Sequence, residues 1–221
     1  QCHHHLHTRY SRCCLHSPSS AVMSTMPTIT VDDHLSEPSA KLIALLSETS
    51  GDMLLLGVGG KMGTTMTLMV NKALRASNPT RTVHAASRFS RSEVSEMLAA
   101  TGARNWQGDL FDDRFLAALP ECENVFFMAG HKFGTSADAG MTWATNALLP
   151  GLVCRRFATS RIVAFSTGNV YPLVRVDSGG SKESDPLNPI GEYAMSALAR
   201  ERILQHFAIE LDIDMVVLRL N

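Results

Sequence analysis

Short apolar runs alternate with longer segments of helical periodicity from residue 52 onwards. Continuous apolar runs of this length are typical of strands buried on both faces of a parallel sheet, where little polar alternation is needed. The six predicted strands are DMLLLGV (52–58), RTVHAAS (81–87), ARNWQG (103–108), NVFFMAG (124–130), RIVAFST (161–167) and DMVVLRL (214–220).

The segments between the runs carry apolar residues at helical spacing and the start and stop signals of helices. Helices are predicted at 36–48, 64–76, 90–102, 112–119, 138–158 and 191–208. Strict alternation of strands and helices predicts an α/β fold with a Rossmann-like, doubly wound parallel sheet, because parallel strands need helical crossovers on the two faces.

The first residues differ from the rest of the chain. Residues 1–31 are rich in Cys, His and Ser and lack apolar periodicity, so we expect a disordered or spurious leader. Their Cys and His spacings match no common zinc pattern, and no metal site is predicted. The domain is expected to span 32–221 and to be incomplete at its C-terminus, because nothing follows the sixth strand.

Composition narrows the functional classes. The formal net charge is −1 and no apolar run is long enough to cross a bilayer, so neither nucleic acid nor a membrane is an expected partner. Five cysteines form no disulfide framework, which favours a cytoplasmic protein. A small-molecule substrate is the expected partner.

A glycine-rich turn, GVGGKMG, joins the first strand to the next helix. Gly57, Gly60 and Gly63 allow a tight turn, close approach of a diphosphate to backbone N–H groups, and close helix packing. The helix that follows directs its positive end at the phosphates. The turn therefore predicts dinucleotide binding, with Lys61 and Met62 inside the loop as further candidates for contact with the cofactor.

The end of the second strand indicates which dinucleotide is bound. Ser87 and Arg88 stand where an NAD-binding domain places a carboxylate for the ribose 2′-hydroxyl. A guanidinium matches phosphate oxygens, so NADP is favoured over NAD. The alternative is that Arg88 is an ordinary surface arginine.

Several further motifs follow in order along the chain. They are GDL at 108–110, FMAG at 127–130, Asn146 in TNALLPG, FSTGNVYP at 165–172 and Tyr193. Together with the glycine turn, they resemble the extended short-chain dehydrogenase/reductases, the NAD-dependent epimerase/dehydratase family, over residues 50–221. The resemblance implies an enzyme of this type, acting on a sugar-nucleotide-like or other hydroxyl or carbonyl substrate, and it leaves a homodimer open.

The same resemblance implies roles for individual residues. Asp109 and Leu110 would flank the adenine, and Ala129 with Gly130 would lie beside the cofactor's ribose. Thr167 would bind the substrate hydroxyl, and Tyr193 would donate or accept the proton.

One residue departs from the family pattern. The family signature is YxxxK, whereas Tyr193 is followed four residues later by Ala197. In the family, the lysine charge favours the phenolate, and a neighbouring cation typically lowers a pKa by about 1–3 units. Arg200, on the same helix, or Lys132, after the fourth strand, could replace it. Ala197 also supports an alternative function, a catalytically impaired NADP(H)-binding sensor or regulatory module; an unrelated nucleotide-binding domain is a third alternative.

Overall fold

The computed structural model describes residues 30–132 and 134–220. Its six strands are β1 (Met53–Leu56), β2 (Val83–Ser87), β3 (Arg104–Gln107), β4 (Asn124–Phe127), β5 (Arg161–Thr167) and β6 (Met215–Leu220). They form one sheet in the order β3-β2-β1-β4-β5-β6, and every neighbouring pair is parallel. From β1 the strand order runs outward to β3 on one side, and from β4 it runs outward to β6 on the other. The carboxyl ends of the neighbouring strands β1 and β4 lie at the same edge of the sheet. The predicted doubly wound sheet is confirmed.

Two helices precede β1, and the others lie between successive strands. The helices are α1 (Val31–Leu35), α2 (Ala40–Glu48), α3 (Lys61–Ser77), α4 (Ser92–Ala100), α5 (Asp113–Ala118), α6 (Ala139–Trp143), α7 (Leu149–Arg156) and α8 (Gly191–Glu210). Thr30 caps α1 through a capping box with Asp33, a short element that the apolar pattern did not predict. Most of the predicted leader lies outside the described residues.

Two apolar cores hold the sheet between helix layers. Side chains of successive residues in a strand point to opposite faces, so Leu54 and Leu56 enter one core and Met53 and Leu55 the other. All four side chains of β1 are buried. The first core is closed by α5, α7 and α8, and the second by α2, α3 and α4. Burial on both faces explains the continuous apolar runs in the sequence.

The single helix predicted at 138–158 is divided in the structure. A π-helical turn, Ala144–Leu148, separates α6 from α7, and Pro150 lies in the first turn of α7. The Leu149 N–H donates to the Ala144 carbonyl, which closes the wider π turn. Because Pro150 has no N–H, the Asn146 carbonyl loses its usual helical donor and is free for another partner.

None of the helices in the described ranges has the length and apolar content required to cross a membrane.

Candidate functional site

The glycine turn lies at the carboxyl end of β1, against the end of β4. Gly57 has a φ of +90°, and a Cβ built on it would lie 2.6 Å from the Ala129 N atom. A Cβ on Gly63 would lie 2.7 Å from Val58 Cα. Both positions therefore require glycine for the fold itself, since the clashing atoms are backbone.

Gly60 differs from these two glycines. It is the N-cap residue of α3, its φ of −80° suits any residue, and a Cβ added to it would have no atom of the described residues within 4 Å. No side chain in those ranges caps α3, so the first N–H groups of this 17-residue helix keep their hydrogen-bonding capacity. The fold leaves open space in front of a helix N-terminus, where an anion is favoured.

The end of β2 borders the same space. The Ser87 Oγ atom accepts a hydrogen bond of 3.1 Å from the Gly59 N–H, so this serine braces the glycine turn. Arg88 is exposed and makes no ion pair among the described residues. Phe89 adopts a φ of +45° with its ring buried, which turns the chain at the cleft wall.

The loop after β3 supplies another wall. Asp109 is exposed, and its Oδ1 accepts a hydrogen bond of 3.0 Å from the Phe111 N–H. Leu110 is buried and packs into the first core. The Asp109 carboxylate therefore holds the loop conformation and remains accessible from the cleft. The Leu110 side chain anchors the loop to the first core.

These walls enclose a cleft of about 570 Å³ at the carboxyl edge of the sheet. The size lies within the range of cofactor pockets. Of the residues proposed from sequence, those lining the cleft are Gly57, Gly60, Ser87, Arg88, Asp109, Leu110, Ala129 and Gly130. Lys61, Met62 and Gly63 do not line it: the first two are exposed in the first turn of α3, and Gly63 packs against Val58.

Other residues of the cleft wall were not proposed individually from sequence, although some, among them Gly59, Gly108 and Met128, belong to motifs such as GVGGKMG, GDL and FMAG. They are Gly59, Phe89, Ser90, Gly108, Phe111, Met128, His131, Gly134, Asp138, Met141, Thr145 and Leu149. Most are common surface or core types whose position depends on the approach of α6 and the π turn. Apart from the residues in the motifs, these positions carry no signal in a single sequence.

Thr167 and Tyr193 lie beyond the cleft wall. Thr167 ends β5, is half-buried, and its Oγ1 accepts a hydrogen bond of 3.2 Å from the Asn169 N–H. Tyr193 is half-buried in the first turn of α8. In the part of the chain that the structure describes, no hydrogen bond joins their side chains, and neither lines the cleft. The structure therefore brings eight of the eleven predicted cofactor-binding residues to one cleft, but it does not link the two predicted catalytic residues.

Asn146 connects the cleft wall to α8. Its side chain is fully buried in the π turn, accepts from the His131 N–H at 2.9 Å, and donates to the His131 carbonyl and to Ser196 Oγ at 3.0 Å each. Its Oδ1 also accepts from Arg200 Nη2 at 2.7 Å. One amide thereby ties the segment after β4 to two turns of α8.

Arg200 is buried behind Gly130, with 7% of its surface exposed. A Cβ on Gly130 would lie 2.7 Å from Arg200 Nη2, so the guanidinium occupies space that a side chain at 130 would need. Its partners are neutral: Asn146 Oδ1, the freed Asn146 carbonyl at 3.4 Å and the Phe165 carbonyl at 2.8 Å. No carboxylate lies within ion-pairing distance of it among residues 30–132 and 134–220.

Burial lowers the pKa of the Arg200 guanidinium to about 10, while negative charge on Tyr193 and on Glu201 acts in the opposite direction. Glu201 is committed elsewhere, because Arg219 forms a two-pronged ion pair with it and Ser166 donates to it at 2.6 Å. Arg219 also donates to the Tyr171 hydroxyl at 2.5 Å. Arg200 therefore brings a cation to the site while the nearest acidic residue on its helix is paired with another arginine.

The comparison with known families decides the classification. A model described as the NAD dependent epimerase/dehydratase family matches residues 53–221. The chain belongs to this family. The resemblance predicted from the sequence motifs is confirmed, and the NAD-dependent epimerase/dehydratase fold accounts for the strand order and the glycine turn.

Solved structures of similar proteins support the same fold. MoeE5, solved with UDP-glucose and NAD, is 25% identical, has a TM-score of 0.59, and is matched over 75% of this chain and 52% of its own. A short-chain dehydrogenase/reductase superfamily protein from Agrobacterium tumefaciens with bound NAD is 24% identical, with a TM-score of 0.61 and coverages of 76% and 48%.

A UDP-glucuronic acid 4-epimerase from Bacillus cereus, in complex with NAD, is 16% identical, with a TM-score of 0.66 and coverages of 77% and 56%. This chain thus spans about half the length of these proteins. No curated protein matches the chain by sequence.

Proposed function

We propose that this member of the NAD-dependent epimerase/dehydratase family is an NAD(P)-dependent oxidoreductase, epimerase or dehydratase. Its substrate would carry a hydroxyl or carbonyl group, and a sugar nucleotide fits best, because MoeE5 was solved with UDP-glucose. The open space in front of Gly60 carries the proposal: the fold has no steric need for glycine there, whereas a bound diphosphate would.

The residues present fit a dinucleotide. The diphosphate would lie at the uncapped first turn of α3, between Gly57 and Gly60, and the adenine would lie near Asp109 and Leu110. Arg88 is exposed and unpaired within the described ranges, which suits the 2′-phosphate of NADP. NADP is therefore proposed over NAD, although the similar structures contain NAD. When bound, the nicotinamide supplies the hydride-transfer chemistry.

The chain's own residues would handle the proton. Thr167 ends β5 at the sheet edge and would orient the substrate hydroxyl, and the Tyr193 phenol would accept or return its proton. General acid–base assistance of this kind contributes about 10²–10⁴-fold in rate. The bound substrate would fill the space between the cleft and the Thr167 and Tyr193 side chains.

A sensor or regulatory module is the second candidate, favoured by Ala197. This residue is 2% exposed and brings no charge to the catalytic end of α8. A module of this kind would bind NADP(H) and turn over no substrate.

A single experiment on the full-length protein separates the two functions. We expect NADP(H) to bind in a fluorescence titration and a UDP-sugar to be converted, with Tyr193→Phe lowering turnover by about 10²-fold or more. The dissociation constant for the cofactor should change by less than about threefold. Tyr171→Phe is the matched control, because it removes the hydroxyl that Arg219 contacts and should leave turnover nearly intact.

The remaining outcomes are also decisive. If both the parent protein and Tyr193→Phe bind NADP(H) and neither converts a UDP-sugar, the sensor function is favoured. Turnover that survives Tyr193→Phe contradicts the assignment of the proton carrier, and failure to bind either NADP or NAD contradicts both candidates.

A further inference from the structure

His131 follows Gly130 on the cleft wall, and the fold holds both its backbone and its ring. The His131 N–H donates to Asn146 Oδ1 at 2.9 Å, and the His131 carbonyl accepts from Asn146 Nδ2 at 3.0 Å. The ring Nδ1 atom lies 3.1 Å from the Oγ1 atom of Thr142, which is fully buried in α6. The orientation of the imidazole at the cleft is therefore determined by α6 and the π turn.

The contacts of Thr142 determine which ring nitrogen of His131 carries the proton. The Thr142 Oγ1 atom lies 2.8 Å from the Asp138 carbonyl oxygen and 3.4 Å from the Thr135 carbonyl oxygen. Because a carbonyl oxygen only accepts, an oxygen–oxygen distance of 2.8 Å requires the hydroxyl proton. A hydroxyl has a single proton, so Thr142 accepts from His131. In the neutral imidazole Nδ1 is then the donor, and Nε2 carries the lone pair.

The fold does not use the lone pair on Nε2. Within residues 30–132 and 134–220 the Nε2 atom of His131 makes no hydrogen bond and no ion pair. It is also not among the enclosed polar atoms that lack a partner in those ranges. Because the ring is half-buried and lines the cleft, Nε2 is an acceptor open to the cleft. An acceptor fixed in place before a ligand binds selects for a ligand that has a donor there.

The order of the strands indicates which part of a dinucleotide reaches this acceptor. The adenosine half is proposed at the ends of β2 and β3, beside Arg88 and Asp109, and the diphosphate at the first turn of α3, which follows β1. β4 lies on the opposite side of β1 from β2. A dinucleotide that crosses the sheet edge in this direction brings its nicotinamide half to the segment after β4, where His131 lies. The donors of that half are the ribose hydroxyls and the carboxamide NH₂ group.

We infer that His131 is a specificity-determining residue of the cleft, whose Nε2 atom accepts a hydrogen bond from the nicotinamide half of the bound dinucleotide. This inference rests on the proposed function, because it requires a dinucleotide in the cleft. Thr142 is a positioning residue, since it acts only through the His131 ring. The lone pair on Nε2 suits a hydroxyl or amide donor and not a phosphate or carboxylate oxygen.

The test compares two ligands of the full-length protein by fluorescence titration: NADP, and adenosine 2′,5′-bisphosphate, which lacks the nicotinamide half. His131→Asn places an amide N–H near the position of Nδ1, so the bond to Thr142 is kept while Nε2 is removed. The dissociation constant for NADP should rise about threefold to tenfold, and that for the bisphosphate should change by less than about twofold. The melting temperature should stay within about 2 °C of the parent.

His206→Asn, at an exposed histidine of α8 that does not line the cleft, is the matched control and should leave both dissociation constants unchanged. If His131→Asn weakens both ligands by the same factor, or weakens neither, the inference is overturned. The 2′-phosphate form of ADP-ribose, which keeps the ribose and lacks the nicotinamide ring, identifies the donor. Weaker binding of this ligand to His131→Asn indicates a ribose hydroxyl, and unchanged binding indicates the carboxamide. For a parent that binds only NAD, the corresponding ligands are NAD, AMP and ADP-ribose.

If His131→Asn does not fold, the ¹⁵N chemical shifts of the His131 ring in the parent decide the question. We expect the proton on Nδ1 in the protein without ligand, and a change in the Nε2 shift when the dinucleotide is added. A proton on Nε2, or an Nε2 shift that the bound dinucleotide leaves unchanged, overturns the inference. Failure to bind either NADP or NAD contradicts the proposed function, whereas binding with an unchanged Nε2 shift contradicts the His131 inference alone.

Discussion

The two ends of the candidate site are built in different ways. The glycine end, Gly57–Gly63, is backbone: a strand end, a turn with positive φ and the first turn of α3. The end predicted to be catalytic consists of side chains from separate segments, with Thr167 from β5 and Tyr193 from α8, and Asn146 of the π turn and Arg200 of α8 lie buried behind the cleft wall. A tight turn admits few residue types, whereas a position on a helix accepts many side chains without a change in the backbone.

This difference explains where the chain keeps to its family's pattern and where it departs from it. At Gly57 any side chain would collide with the Ala129 backbone, so the residue type cannot change without moving a strand. On α8 a buried alanine, Ala197, stands where the family pattern has its lysine, and the helix continues through it unbroken. The lysine of the family pattern can therefore be absent while the fold of α8 is kept.

The largest effect is expected from breaking the backbone end. Gly57→Ala places a Cβ 2.6 Å from the Ala129 N atom at a φ of +90°, so the free energy of unfolding should fall by about 3 kcal/mol or more. The melting temperature should then drop by about 6–12 °C in a calorimetric scan. Gly179→Ala is the matched control, with a φ of +79° and no described atom near its Cβ position, and should cost about 1 kcal/mol. Equal losses in the two variants would show that the close approach of β1 and β4 is unimportant.

A smaller and more selective effect is expected at Gly60. Gly60→Ala meets no atom of the described residues within 4 Å, so the melting temperature should stay within about 2 °C of the parent. The added methyl group enters the space proposed for the diphosphate, and the dissociation constant for NADP should rise about tenfold or more in a fluorescence titration. Gly140→Ala, at an exposed glycine of α6 outside the cleft, serves as the control and should leave binding unchanged. Unchanged binding by Gly60→Ala would remove the observation that carries the proposed function.

The smallest effect concerns the choice between the two cofactors. Arg88→Ala removes the exposed guanidinium at the end of β2, and the affinity for NADP should fall about fivefold to tenfold while that for NAD changes little. Arg91→Ala, at an exposed arginine three residues on that does not line the cleft, is the matched control. If Arg88→Ala lowers the affinities for NADP and NAD by the same factor, Arg88 does not contact the 2′-phosphate.

Local patterns in the sequence were sufficient for the architecture. Because β1 is buried on both faces, its residues form a continuous apolar run in the sequence. Because the turn after β1 passes close to the Ala129 backbone, position 57 requires glycine. The strand, the turn and the following helix could therefore be predicted from neighbouring residues. The long helix at 138–158 was only partly predicted. Pro150 in its sequence indicates a local change, but not that a π turn would free the Asn146 carbonyl.

The sequence by itself determined the parallel α/β fold, the glycine turn and the identity of Tyr193 and Ala197, because these depend on contacts between near neighbours or on residue type. Only the tertiary structure decided that Arg200 points behind Gly130 rather than into solvent, and that Asn146 joins the segment after β4 to α8. The reason is physical: burial of a charge depends on which distant carbonyl and amide groups surround it. Those groups come together only when β4, β5, the π turn and α8 are packed.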